Sequence, residues 1–145
     1  MSDGRTSQPQ AAAASPGWGG LARLLGMKPG ELADGRCSVS LRVGPEHTNP
    51  YGAVHGGVVY SLVDTAMGGA MVSRLNPNER CATLEVKINY LAPVAAGELR
   101  AEARLVERTS RIGVLEARVH ADSRLIALAT GTFYIQGPTP SAPGV

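Results

Sequence analysis

The chain has 145 residues, of which 43% are hydrophobic and 18% charged, with a formal net charge of +2 and a pI near 8.7. That length fits one domain of ordinary size, and that composition excludes a chain disordered throughout. The charge is too slight, and too free of a basic stripe with interleaved aromatics, to indicate nucleic acid; no run approaches the ~18 apolar residues of a membrane span.

Residues 1–16 (MSDGRTSQPQAAAASP) are small and polar with two prolines and read as a disordered tail. Ala11 to Ala14 is too short an apolar run for a signal-peptide core, so a cytoplasmic protein is expected. Trp18 to Leu25 has apolar residues at helical spacing and stops at Gly26, which predicts a short helix. From Arg36 to Val43, Cys37, Val39, Leu41 and Val43 alternate with Arg36, Ser38, Ser40 and Arg42, the pattern of a half-buried strand. Gly44 to Val54, rich in Gly, Pro, Asn and His, predicts a loop. A long helix follows from Gly56 to about Arg74, apolar nearly all round and therefore expected to be buried on every side. Asn76-Pro77-Asn78 stops it.

Four strands come next. Cys81 to Leu91 alternates, with Ala82, Leu84, Val86, Ile88 and Tyr90 on one face and Thr83, Glu85, Lys87 and Asn89 on the other. Leu99 to Val106 and Leu115 to Ala121 alternate again, while Leu125 to Ile135 is apolar on both faces near its start and is expected to lie inside the sheet. The links Pro93 to Gly97, Arg108 to Arg111 and Asp122-Ser123 are short enough for antiparallel pairing of the strands they join. Residues 137–145 read as a second disordered tail, which leaves one domain over 17–136. The expected class is α+β: an antiparallel sheet of five to six strands wrapped around one long central helix. Cys37 and Cys81 lie far apart in strand-like segments, and small apolar packing or a disulfide are both open for them. No Cys/His spacing suggests a metal.

The stretch from His47 to Ala70, HTNPYGAVHGGVVYSLVDTAMGGA, carries the chemistry. A helix opened by Gly56-Gly57 exposes backbone N–H groups that can hold an oxyanion, with a tight turn as the alternative. Asp64 is the one carboxylate in an otherwise uncharged helix; it can attack an acyl group or activate water, or else serve as a structural acid. Together the two features indicate acyl transfer, foremost thioester hydrolysis. Gly68-Gly69 in mid-helix points to close packing or to room for an acyl chain.

The element order together with N-x-x-G-x-x-H-G-G and an acid eight residues after the first glycine of the pair resembles the hotdog-fold acyl-CoA thioesterases, specifically the phenylacetic-acid-degradation type. The similarity spans about Trp18 to Ile135. The resemblance implies that Asp64 is the catalytic carboxylate and that the Gly56 N–H polarises the thioester carbonyl. It implies that Asn49 helps hold the water or the carboxylate, that His55 supports the loop and the carbonyl site, and that Thr83 orients the water. Thr83 shares the polar face of its strand, so this last role needs a bend or a partner subunit. By the same resemblance Arg108 and Arg111, which bracket the turn RTSR, lie near the CoA phosphates, and the protein is a homodimer or a dimer of dimers with sites at the subunit interface. No cofactor is implied, CoA being part of the substrate.

The spacing makes an independent point. Asp64 lies 64 − 56 = 8 positions after Gly56, about 12 Å along a helix at ~1.5 Å per residue. One thioester carbon cannot touch both, so an acid of one subunit would meet the glycine N–H of another across a two-fold axis. Two other functions stay open: a hotdog enoyl-CoA hydratase or dehydratase recruiting His55 and Asp64, and a non-catalytic acyl-CoA-binding protein.

Overall fold

The computed structural model describes residues 18–137. The expected tails lie outside the described residues, Gly137 apart. Among the described residues the chain forms α1 (Gly19–Leu25), β1 (Lys28–Ala33), β2 (Arg36–Arg42), a 3-10 turn (Pro45–His47), α2 (Gly56–Val72), β3 (Arg80–Tyr90), β4 (Glu98–Arg108), β5 (Ile112–Ala121) and β6 (Arg124–Gln136). The strands make one six-stranded antiparallel sheet in the order β1-β2-β4-β5-β6-β3, with α2 packed along it. This is the hotdog arrangement that the resemblance implies.

Period-two alternation places Val39 and Leu41 of β2, Leu99 and Ala101 of β4, Leu115 and Val119 of β5, and Ala127 and Ile135 of β6 against the helix, all of them buried. From α2, Leu62, Val63, Ala66, Met67, Ala70 and Met71 fill the space opposite, each fully buried. Burying a leucine, valine or methionine side chain stabilises by about 1.5–3 kcal/mol. Gly69 lets the helix approach β2: a Cβ there would stand 2.5 Å from Cys37 Sγ and 3.1 Å from Cys37 Cβ. Close packing therefore explains Gly69. It does not explain Gly68, where a Cβ would meet nothing nearer than Phe133 Cε1 at 3.9 Å.

Four expectations need correction. β1 is absent from the sequence reading: its sequence KPGELA does not alternate and all six residues are exposed. β3 and β4 are joined by the Pro93 to Gly97 link but do not pair; β3 pairs with β6 at the far edge of the sheet. The link instead passes the start of α2, where the Val54 N–H donates to the Val94 carbonyl at 2.7 Å. α2 is not buried all round, because the single sheet covers only one of its sides; Tyr60 is exposed, and Ser61, Asp64, Thr65 and Gly68 are half-buried. The fourth concerns the face of Thr83. The pairing of β3 with β6 slips between Thr83 and Glu85, with Thr83 opposite Phe133 and Glu85 opposite Thr132. Phe133 is a buried, helix-facing residue, so this bulge at Leu84 puts Thr83 on the helix side together with Val86 and Ile88, opposite Gly131 and Ala129.

Both cysteines are free thiols. No helix among the described residues is long and apolar enough to cross a membrane.

Candidate functional site

The loop before α2 is built by Asn49. Its side-chain oxygen accepts the Tyr51 N–H at 2.9 Å and the Ala53 N–H at 3.2 Å, an Asx turn. The Asn49 N–H donates to the Ala53 carbonyl at 2.7 Å, and Thr48 bridges Val54. The chain thus enters α2 through a closed loop whose residue Gly52 sits at φ 80°, in the left-handed region.

His55 is the N-cap of α2. Its Nδ1 accepts the Gly57 N–H at 2.8 Å, and its carbonyl accepts the Val58 N–H at 2.9 Å. A Cβ on Gly57 would lie 2.9 Å from that same Nδ1, so a side chain there would displace the capping ring. The Gly56 N–H donates to no acceptor among the described residues, and it stands at the positive end of the helix dipole. Gly56 is pressed by Tyr90, whose hydroxyl donates to the Gly56 carbonyl at 2.8 Å and whose ring would lie 3.2 Å from a Cβ on residue 56. Burial, with a smaller effect of Tyr60, raises the Tyr90 pKa and keeps that hydroxyl a donor.

Beside Gly56 opens a cavity of about 330 Å³, lined by Asn49, Val54, Val59, Tyr90, Pro93 and Ile126 among others. Its walls are largely apolar, and neither Asp64 nor Thr83 lines it.

Asp64 lies half-buried two turns along α2. Thr83 Oγ1 donates to Asp64 Oδ1 at 2.7 Å, so the second carboxylate oxygen is left for a water or a substrate. Cys81 lies near the same carboxylate: burial first, then the Asp64 charge, raises its thiol pKa, which keeps it protonated and a poor nucleophile. Cys37 is pushed up to about 11, by burial ahead of Glu31.

The structure thus brings Asp64 to Thr83, and gathers Asn49, His55 and Gly56 at the other end of the same helix stretch. Arg108 is engaged within the chain. Its guanidinium donates to both Glu79 carboxylate oxygens at 3.1 Å and to the Arg74 carbonyl at 2.6 Å. It therefore pins the turn after α2. Arg111 is exposed, and its side chain donates to the Tyr134 hydroxyl at 3.0 Å. Tyr90 and the cavity were missed by sequence reasoning; Tyr90 sits 34 residues from Gly56, and only the third dimension joins them. No group of three or more metal-ligating side chains occurs among the described residues.

A sequence profile of the thioesterase superfamily matches residues 51–127, the stretch from the Asn49 loop to β6. A solved conserved protein of Pseudomonas aeruginosa is 37% identical and superposes with a TM-score of 0.79, over 81% of this chain and 94% of that one. A mutant of the phenylacetic acid degradation protein PaaI from Thermus thermophilus is 30% identical with a TM-score of 0.73, over 79% of this chain and 96% of the other. A 1,4-dihydroxy-2-naphthoyl-CoA hydrolase of Listeria monocytogenes is 25% identical over 81% of this chain and 96% of its own length.

Proposed function

The chain belongs to the thioesterase superfamily, and from that premise we propose that it hydrolyses the thioester of an acyl-CoA carrying a small aryl or a short- to medium-chain acyl group, releasing the free acid and CoA. The observation that carries the reading is the division of the parts along α2. A free Gly56 N–H stands beside an apolar cavity, and a carboxylate held by Thr83 stands eight residues further on. At ~1.5 Å per residue that is about 12 Å, so the working site takes Asp64 and Thr83 from one protomer and Gly56 with its cavity from another.

The edges of the sheet support this assembly. β1 ends the sheet on one side with Pro29, Gly30 and a bulge, features that discourage further pairing. β3 ends it on the other side with exposed Leu84 and Tyr90 and an open backbone edge, and it carries Thr83. Pairing of two such edges gives a homodimer.

In the reaction the thioester oxygen accepts the Gly56 N–H, which stabilises the oxyanion as it develops. The acyl group enters the cavity. Asp64 takes a proton from a water held with Thr83, hydroxide adds to the carbonyl carbon, and the tetrahedral intermediate collapses by expelling the CoA thiolate; alternatively Asp64 itself adds to the carbonyl, the CoA thiolate is expelled to leave a mixed anhydride, and water cleaves that anhydride to the free acid and the restored carboxylate. A thiol of pKa near ~8.5 leaves without a strong general acid. Asn49 shapes the loop and His55 caps the helix that presents Gly56; exposed Arg111 is the residue assigned to a CoA phosphate. CoA enters as substrate and no cofactor is needed. Two free thiols suit the cytoplasm.

Release of CoA thiol from a panel of aryl and aliphatic acyl-CoAs tests the reading. Hydrolysis is expected for part of the panel, falling by about 10²-fold or more in Asp64→Asn. Undiminished hydrolysis in that variant, or hydration of an enoyl-CoA without thiol release, overturns it.

A further inference from the structure

Among the described residues His47 is an ionisable side chain that the site does not use and that is nonetheless buried, 2% exposed. Two hydrogen bonds from its ring and one from its backbone carbonyl tie together three parts of the chain, and its own N–H donates to the Gly44 carbonyl at 3.0 Å. The Gly44 N–H, at the corner after β2, donates to its Nδ1 at 2.9 Å. Its Nε2 lies 2.8 Å from the carbonyl of Leu25, the last residue of α1. With Nδ1 accepting, the ring proton sits on Nε2 and is given to Leu25, a helix-terminal carbonyl with no other partner among the described residues. Glu46 Oε1 approaches Nε2 only to 3.8 Å, too far to compete for that proton. The third bond is from the backbone: the His47 carbonyl accepts the His55 N–H at 2.8 Å.

That third bond reaches the site. His55 is held at its N–H by His47 and at its carbonyl by Val58. The peptide joining His55 to Gly56 is trans and planar, since no cis bond occurs among the described residues. With its carbonyl turned into the first helical turn, its N–H must point the opposite way, out of the helix start. The orientation of the His55 backbone therefore sets the aim of the Gly56 N–H.

We infer that His47 is a positioning residue, which by clamping α1, the corner after β2 and the His55 N–H together aims the Gly56 N–H at the substrate oxygen. The inference rests on the oxyanion role given to Gly56 above. Neither ring nitrogen touches substrate; the ring acts by fixing the backbone around it.

The test compares His47→Ala and His47→Asn with the wild type and Asp64→Asn, using an acyl-CoA that the wild type hydrolyses. Because a misaimed donor is felt in the transition state more than in binding, kcat per folded protein should fall roughly 10- to 100-fold in His47→Ala while KM stays within about twofold. His47→Asn keeps an oxygen that can accept the Gly44 N–H and should recover part of the loss; it carries the comparison if the alanine variant does not fold. Amide hydrogen exchange at His55 should quicken in step with the loss of kcat. A purely structural histidine would lower the melting temperature and leave kcat per folded molecule unchanged in both variants, and that result, with Asp64→Asn inactive, overturns the inference alone. Full turnover in Asp64→Asn overturns the reading of the site itself and this inference with it.

Discussion

The hydroxyl of Thr83 reaches Oδ1 of Asp64 at 2.7 Å only because β3 bulges at the next residue. Without the slip, Thr83 would share a face with Glu85 and Lys87 and point away from α2. The hydrogen bond fixes the carboxylate rotamer and leaves its other oxygen for chemistry. A hydrogen bond to a charged group is worth about 1.5–3 kcal/mol. Thr83→Val should therefore lower kcat roughly 10- to 100-fold, while Thr83→Ser keeps most of it. Steady-state thiol release with both variants checks this.

The same bulge marks the limit of what the residues disclose by themselves. Period-two alternation in β2, β4 and β5 and the dense apolar content of α2 locate those elements closely, because the buried faces dictate the pattern. An extra residue in a strand leaves no such mark: TLEVK alternates on paper, and only its pairing with β6 shows the phase break. β1 is invisible for a related reason, since six exposed residues bury no face and write no period. Link length misplaces β3, because Pro93 to Gly97 suffices to pass the start of α2 as well as to close a hairpin. At the site, Asp64, Gly56 and His55 stand out by chemical type, whereas Tyr90 and His47 act through packing and backbone contacts that no motif records.

Gly68 and Gly69 should respond in opposite ways. Alanine at 69 would push a methyl group against Cys37, whose Cβ is only 3.1 Å from the added carbon and belongs to the sheet. Overpacking of that kind costs about 1–3 kcal/mol. Alanine at 68 meets only ordinary contact and should gain up to about 1 kcal/mol of helix propensity. Thermal or urea unfolding of Gly68→Ala and Gly69→Ala measures both. Gly68 also lies four residues from Asp64 on the same helix face, so activity of Gly68→Ala on bulky acyl groups should fall relative to short ones.

The Glu79–Arg108 pair makes stability sensitive to acid. The Asn76 N–H, donating at 2.7 Å, and then the Arg108 guanidinium hold the Glu79 carboxyl below its ordinary 4.5. A carboxyl whose pKa is lower in the folded state contributes fully above its unfolded value. The contribution is lost as pH falls from 4.5 through the folded value. Glu79→Gln should therefore melt below the wild type at neutral pH, and the two melting curves should converge as the solution is acidified beneath that range. A gap that persists unchanged into strong acid would mean that the charge of Glu79 contributes nothing.

The division of the site between protomers can be tested by complementation. Gly56→Pro deletes the N–H assigned to the oxyanion. It does so at the first position of α2, where proline is favoured, after a His55 whose ψ of 134° suits a following proline. No hydrogen bond among the described residues is lost, and Tyr90, 3.2 Å from where the proline Cβ would stand, must give by a few tenths of an ångström there. Gly56→Pro and Asp64→Asn should each be nearly inactive alone. Mixed one to one and refolded together, half of the dimers are hybrids, and each hybrid holds one site with both groups intact and one with neither. About one quarter of wild-type activity should return. If acid and N–H worked within one protomer, every site in the hybrid would lack one of them and nothing would return; hybrids isolated by differential tagging and found inactive would decide for that arrangement.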